Sequence, residues 1–373
     1  MVAVLEKRSL RDFDFVLAAL AVAIVCFGSW MISKAQPTET LWQKQLFGLG
    51  IAFAAMLAVA FTDYRKLIDY APYFYGFGLF LLALVLIPGL GVKINGQTAW
   101  LKLPVIGQFQ PSEFVKIPVV LMLARYFGTR RNQTLGVRET AIGIGILALP
   151  LGLILLEPDA GQAITYFPLL AVVIFLSGIK IRWVVTLLIL AVITVPLAWT
   201  IGVKTGKIKP YQVERINAIL HPESVDPKGY AYHTIQSTIT VGKGRIYGSA
   251  ADSEFSQSAL KFLPEPHSDF IFAVTAENTG FVGCIGLLLA YLFLISRLLN
   301  GARQSPDREG MLVIMAFTGA LAFQIFMNVG MTLGMLPVIG VPLPMMSAGV
   351  SAVLATFIAI GFAISVKMRR FVN

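Results

Sequence analysis

Residues 140–177 read TAIGIGILALPLGLILLEPDAGQAITYFPLLAVVIFLS, two apolar runs parted by Glu157-Pro158-Asp159-Ala160. Taken together the runs are too long for one bilayer crossing of about 20 residues, so two spans are expected, 140–156 and 161–177, with a charged turn between them. That choice sets the parity of the chain. Further apolar stretches run at 13–32, 45–61, 70–88, 111–127, 183–202, 270–296, 311–334 and 341–366. The expected total is then about ten helices, with both termini on one side of the membrane.

Composition agrees with this count. Of 373 residues, 57% are hydrophobic and only 13% charged, about half the charged share of a soluble protein. The expected fold is an all-α polytopic membrane protein of ten transmembrane helices, a single integral membrane domain over residues 1–373. A long, partly helical extracellular loop, 203–269, separates helices 7 and 8. The 13–32 stretch follows Lys7, Arg8 and Arg11 as a signal peptide would, but its apolar core is too long and no small-residue cleavage site follows, so it is expected to stay as an anchor.

A net charge of +10 would fit a nucleic-acid binder, but the placement of the basic residues points elsewhere. The connections on the side of the termini hold most of them, including Arg65, Arg125, Arg130, Arg297, Lys367 and Arg370, whereas the short loops opposite hold only Lys34, Lys44, Lys93 and Lys102. Positive residues stay on the cytoplasmic side, so both termini are expected there, beside anionic membrane lipids; no nucleic acid is needed to explain the charge. Cys26 and Cys284 lie in apolar stretches without metal spacing and read as buried packing residues.

On the external side, the 203–269 segment carries Tyr211, Tyr230, Tyr232, Phe255 and Phe262, which argue for short amphipathic helices on the membrane surface. The 89–110 connection has Asn95-Gly96 as a turn and Trp100 as an interfacial anchor. Ionisable groups within or beside spans are costly, which makes each a candidate for function. Glu113 and Lys116 share one helical face and read either as a packing ion pair or as the lining of a polar cavity. Asp159 and Asp269 each precede a helix, where a carboxylate caps backbone amides or does chemistry. Arg215, with Lys204, Lys207 and Lys209, forms either a solvated loop face or an attractor for anionic headgroups. His221, His233 and His267 are too scattered for a metal site unless the loop folds back on itself. Phosphate-loop, dinucleotide and nucleophile-elbow motifs are missing from the sequence, which disfavours ATP-driven transport.

Several segments together resemble the SEDS family (shape, elongation, division and sporulation). They are Asn95-Gly96 with Trp100; Gln110-Pro111-Ser112-Glu113 with Lys116; Pro158-Asp159 with Gly161; and Tyr211 and Arg215 followed by Pro222, Asp226-Pro227 and Gly229-Tyr230. The last two are LPEPHSDFIFAV from Leu263 to Val274 and NVGMTLGMLPVIGVPLPMMS from Asn328 to Ser347. YHTIQS at Tyr232 to Ser237 and the short tails look more like the elongation branch than the division branch.

The resemblance implies ten spans and a peptidoglycan glycosyltransferase that polymerises lipid II at the outer face of the cytoplasmic membrane, beside a class B penicillin-binding protein that cross-links the strands. It makes Asp269 the essential acidic residue. As a general base, Asp269 would deprotonate the acceptor hydroxyl while a lipid pyrophosphate leaves the donor, in a single inverting displacement. Arg215, nearby lysines or a divalent cation (Mg or Mn) held by carboxylates would meet the pyrophosphate. Glu113, Lys116, Asp159, Asn328 and Ser347 fall on family motifs and are expected to organise the substrate cavity. A lipid II flippase and a non-catalytic scaffold for the transpeptidase are the alternatives.

Three departures from the family pattern stand out. Ala348-Gly349-Val350-Ser351 replaces Tyr-Gly-Gly-Ser-Ser, the run Gly244 to Ala250 is poorer in glycine than usual, and Glu157 replaces the commoner glutamine.

Overall fold

The computed structural model describes residues 12–94, 97–103, 107–130, 136–178, 231–249 and 265–370, with single positions among 197–213 and at 263. Its helices, in chain order, are α1 (Phe15–Ala35), α2 (Leu41–Phe61), α3 (Tyr64–Asp69), α4 (Ala71–Val85), α5 (Pro111–Gly128), α6 (Val137–Leu156), α7 (Ala160–Thr165), α8 (Phe167–Leu176), α9 (Ala231–Lys243), α10 (Ile271–Arg303), α11 (Arg308–Thr332) and α12 (Val350–Met368). Strands β1 (Gly91–Ile94), β2 (Gln97–Leu103) and β3 (Gly107–Phe109) lie between α4 and α5.

Local chemistry explains many of these boundaries. Asp14, Asp63, Asp159 and Asp307 each begin a helix, their carboxylates accepting from the backbone N–H of Leu17, Arg65, Gln162 and Gly310. Pro72, Pro111 and Pro168 stand in the first turns of α4, α5 and α8, where a missing N–H costs nothing.

Six described helices, α1, α2, α6, α10, α11 and α12, are long and apolar enough to cross a membrane. Their outer faces carry exposed Phe47, Leu149, Leu289 and Leu292 in the manner of a lipid-facing surface, and Phe77 on α4 and Phe175 on α8 are exposed likewise. Helix α5 lies in the middle of the bundle, packed by α4, α6, α8, α11 and α12. That position explains how it carries Glu113, Lys116 and Arg125 yet is buried along most of its length. The 157–160 turn does separate two helical segments, and the second is itself broken at Tyr166 into α7 and α8. The expected span 183–202 lies almost wholly outside the described residues, as does most of the 203–269 segment.

Several expectations need correction. The fold is not purely helical, because 91–109 forms a three-stranded antiparallel sheet in the order β1-β2-β3, with Val92 opposite Trp100 and Leu101 opposite Phe109. Along β2, Ala99 and Leu101 are buried, while Trp100 and Lys102, on the opposite face, line a cavity. The last apolar stretch is helical only from Val350, since Pro337, Pro342, Pro344 and a positive φ at Gly340 keep 337–349 out of helix. Cys284 is buried as expected, but Cys26 is exposed on the outside of α1.

Helix α10 is broken at Gly280, whose φ of 67° and ψ of −166° are not helical. The loop after α9 enters the break. Phe281 N–H donates to Arg245 O at 2.9 Å and Val282 N–H to Ile246 O at 3.1 Å, while Ser249 N–H donates to Glu277 O at 2.8 Å. Amides freed by the break are thereby paired, as a buried backbone requires. A Cβ on Gly280 would sit 2.3 Å from Gly248 N, and Gly248 itself has φ of 92°. The glycine-poor run thus keeps glycine where the backbones touch. Gly280→Ala is expected to lower the melting temperature of the detergent-solubilised protein by several degrees, since a positive φ alone costs about 1 kcal/mol. An unchanged melting curve would show that the junction yields freely.

The two ends of the bundle differ. At one end, Asp14 pairs with Arg297 and Lys367, both at 2.6 Å, and Asp307 pairs with Arg65 at 3.0 Å. Arg369 reaches Phe61 O at 2.8 Å and Arg308 reaches Arg130 O at 3.2 Å, so the C-terminal ends of α2 and α5 lie there too. The N-terminal ends of α2, α5, α7 and α10 lie at the opposite end, around the cavity.

Candidate functional site

A cavity of about 1090 Å³ opens among the starts of these helices, lined by Glu113, Asp159, Asp269 and Ser347 together with Lys44, Gln45, Trp100, Lys102, His233 and His267. Four sequence-derived candidates therefore share one space. Lys116 lies beneath it, lining a second cavity of about 50 Å³ to which Glu113 also contributes. Asn328 is fully buried and supports the wall. Arg215 lies outside the described residues.

The cavity floor is a chain of hydrogen bonds. Lys116 Nζ donates to Glu113 Oε2 at 2.9 Å, and Gln162 Nε2 donates to Glu113 Oε1 at 2.6 Å. Gln162 N–H donates to Asp159 Oδ1 at 3.0 Å and Gln110 Nε2 to Asp159 Oδ2 at 2.9 Å. Asp159 is thus a helix cap, and its second oxygen joins the floor as well. Glu113 and Lys116 form both a packing ion pair and part of the lining. Gln162 was missed in the sequence, and Gln110 entered only as part of a motif, because a neutral amide gives no signal of its own until its partners are known. The close approach of Gly161, whose Cβ would meet Gly340 O at 2.6 Å, brings this floor against the 337–349 loop.

Asp269 sits on the 265–269 turn before α10. The cap position of α10 falls to Phe270, one residue after Asp269, and the Phe270 side chain makes no cap bond. Three successive carbonyls of the turn are each held. Ala348 N–H donates to His267 O at 2.8 Å, Ser347 Oγ to Ser268 O at 2.6 Å, and Asn328 Nδ2 to Asp269 O at 2.8 Å. Asn328 Nδ2 also donates to Val341 O, and the buried Tyr291 hydroxyl donates to Pro344 O, which fixes the loop in turn. Within the altered 348–351 motif, Ala348 acts through its backbone N–H, while Ser351 Oγ accepts from Gln110 N–H at 3.0 Å. At Gly340, with φ of 75°, an added Cβ would lie 3.3 Å from Asp269 Oδ2. A side chain there would crowd the carboxylate.

Glu157 ends α6 in the turn beside this floor, fully buried, with neither carboxylate oxygen hydrogen-bonded. Burial, reinforced by Asp159, pushes its carboxyl from the ordinary 4.5 to about 8. Burial also raises Asp159. The native state then holds the Glu157 proton more tightly than the unfolded chain, so stability falls as pH rises from about 4.5 through about 8. Glu157→Gln is expected to raise the melting temperature more at pH 8 than at pH 5, and an equal shift at both would remove Glu157 from this role.

A divalent cation finds little support in these donors. Among the described residues no three His, Cys, Asp or Glu side chains are grouped to hold a metal. Every carboxylate oxygen of Glu113 and Asp159 already accepts a hydrogen bond.

Comparison with known proteins agrees with this architecture. Residues 11–371 match the family model for FtsW, RodA and SpoVE, described as cell cycle proteins. The chain belongs to the FtsW/RodA/SpoVE (SEDS) family. It is 33% identical to the peptidoglycan glycosyltransferase MrdB of Escherichia coli K12 over 369 residues, covering 98% of this chain and 97% of that one. It is 32% identical to the stage V sporulation protein E of Bacillus subtilis, over 95% of this chain and 96% of that one. Among solved structures, a chain of a peptidoglycan synthase complex, described for its coordination of polymerization and crosslinking, superposes with a TM-score of 0.81 at 32% identity, covering 97% of this chain and 99% of that one. The rod shape determining protein RodA of Thermus thermophilus superposes with a TM-score of 0.70 at 29% identity, over 97% and 98%. With its apolar helices, this SEDS protein is an integral membrane protein.

Proposed function

We propose that the chain polymerises lipid II into glycan strands at the outer face of the cytoplasmic membrane, with Asp269 as general base. Its curated relatives carry the name peptidoglycan glycosyltransferase, and glycosyl transfer in cell-wall synthesis is the activity it shares with them. The observation that carries the finer reading is the pinned turn of Asp269 facing a cavity with Lys44 and Lys102 in its walls. Asp269 takes the proton of the acceptor hydroxyl as that oxygen attacks the anomeric carbon of the donor and the lipid pyrophosphate departs from the opposite face. Lys44, Lys102 and Arg215 supply positive charge to the leaving group. Glu113, Lys116 and Asp159 keep the floor rigid, while Asn328 and Ser347 hold the turn.

The basic end of the bundle faces the cytoplasm with both termini, in a ten-span topology, and the cavity opens outside. The elongation branch is the closer likeness, and a class B penicillin-binding protein is the partner that cross-links the product. A flippase would need a route for a disaccharide headgroup, and the space below the Glu113–Lys116 pair, about 50 Å³, has room for only a few water molecules. The purified protein, given lipid II and the partner in detergent, is expected to make glycan polymer. Folded protein that moves lipid II across vesicles and makes no polymer would overturn this function.

A further inference from the structure

We infer that Gln45, on α2, is a positioning residue for Asp269, acting through the backbone of residues 347–349. The inference rests on Asp269 being the base. Gln45 is only 2% exposed. Its Nε2 donates to Ser347 O at 3.0 Å, and its Oε1 accepts from Gly349 N–H at 3.1 Å. The amide thus brackets Ala348, whose N–H holds His267 O, and grips Ser347, whose Oγ holds Ser268 O and accepts from Leu343 N–H at 2.8 Å. Two of the three contacts that fix the Asp269 turn therefore come from a segment that Gln45 ties to α2.

Packing reinforces the tie. Gly48, one turn along the same face of α2, lies so close to Val350 that a Cβ would meet its Cγ1 at 2.7 Å. α2 runs along α12, which begins at Val350. The 347–349 segment is thereby fastened to a rigid helix pair at the point where it meets the turn. A carboxamide is the side chain that suits this task, because it offers one donor and one acceptor in a single plane to a C=O and an N–H two residues apart. A thioether offers neither at useful strength, and a carboxylate only accepts.

A base displaced by about 1 Å loses on the order of a hundredfold in rate. Gln45→Met, measured in the full chain with its transpeptidase partner and lipid II, is therefore expected to lower kcat by about tenfold or more, with KM within about twofold of wild type. Combined with Ser347→Ala, it should lose less than the product of the two single effects, because both act through one segment. Gln45→Glu supplies a readout that a merely structural role would not move. Ionised, the introduced carboxyl can still accept from Gly349 but opposes the Ser347 carbonyl; protonated, it can donate to that carbonyl. Its rate relative to wild type should rise as pH falls, and this ratio decides the matter should Gln45→Met fold poorly. A flat ratio, a wild-type kcat in Gln45→Met, or a loss confined to KM overturns the inference while Asp269→Asn remains inactive. Polymer made by Asp269→Asn overturns the assignment of the base itself.

Discussion

Asp269→Asn is expected to insert, to melt within a few degrees of wild type and to make no measurable glycan polymer from lipid II. The size of the loss follows from the chemistry. Removing a general base typically costs a factor of about 10² to 10⁴, enough to take glycan polymer out of the range of detection. Survival of the fold follows from the geometry, because the turn is held through the carbonyls of residues 267 to 269, and the α10 cap residue is Phe270. Asparagine keeps the size and polarity of the side chain and loses its basicity. Glycan chains of wild-type length from the folded variant would move the base elsewhere, and Asp159 and Glu113 in the same cavity would be the next carboxylates to test. Unfolded variant protein would instead mean that the Asp269 carboxylate holds the turn.

How far these conclusions were legible beforehand differs by element. The span boundaries follow from runs of apolar residues, which any low-dielectric environment demands, so 13–32, 45–61, 140–156 and 311–334 all correspond to helices. Hydropathy is blind to what those helices face. The 111–127 stretch looks like another span, yet α5 is the buried centre of the bundle. The charges that first marked Glu113 and Lys116 as functional candidates have partners in that centre. The sheet at 91–109 was legible in the alternation of Gln97-Thr98-Ala99-Trp100-Leu101-Lys102, but the Asn95-Gly96 turn beside it drew attention to a loop.

Site residues were legible where charge is expensive. Glu113, Asp159 and Asp269 stood out as ionisable groups beside apolar runs, and they line one cavity. Gln45 and Gln162 did not, because their significance lies in partners far away in sequence, 49 residues for Gln162 and 304 for Gln45. The same holds for the break at Gly280. A glycine within an apolar helix is unremarkable until another backbone is found against it.

Lys116→Met is expected to destabilise the protein by about 3–5 kcal/mol, more than any other single change at the cavity floor. The pair it breaks is almost entirely enclosed, with side chains 8% and 5% exposed at a separation of 2.9 Å. Methionine preserves much of the volume, so the cost is electrostatic: Glu113 would lose its counter-charge in a space where, among the described residues, the Gln162 amide is its remaining side-chain donor. Removing both charges is a different matter. In Glu113→Gln combined with Lys116→Met neither partner of the pair is charged, and replacing a buried pair outright is often neutral. The double variant is therefore expected to recover most of the stability lost by Lys116→Met, as read from melting in detergent. Activity need not follow, because the new amide can turn its NH₂ toward Gln162 and break the floor that reaches Asp159. Recovery of stability without recovery of polymerisation would assign the pair to organising the cavity. Equal instability of the single and double variants would mean that the floor depends on the ion pair for its fold, which the buried-charge argument does not predict.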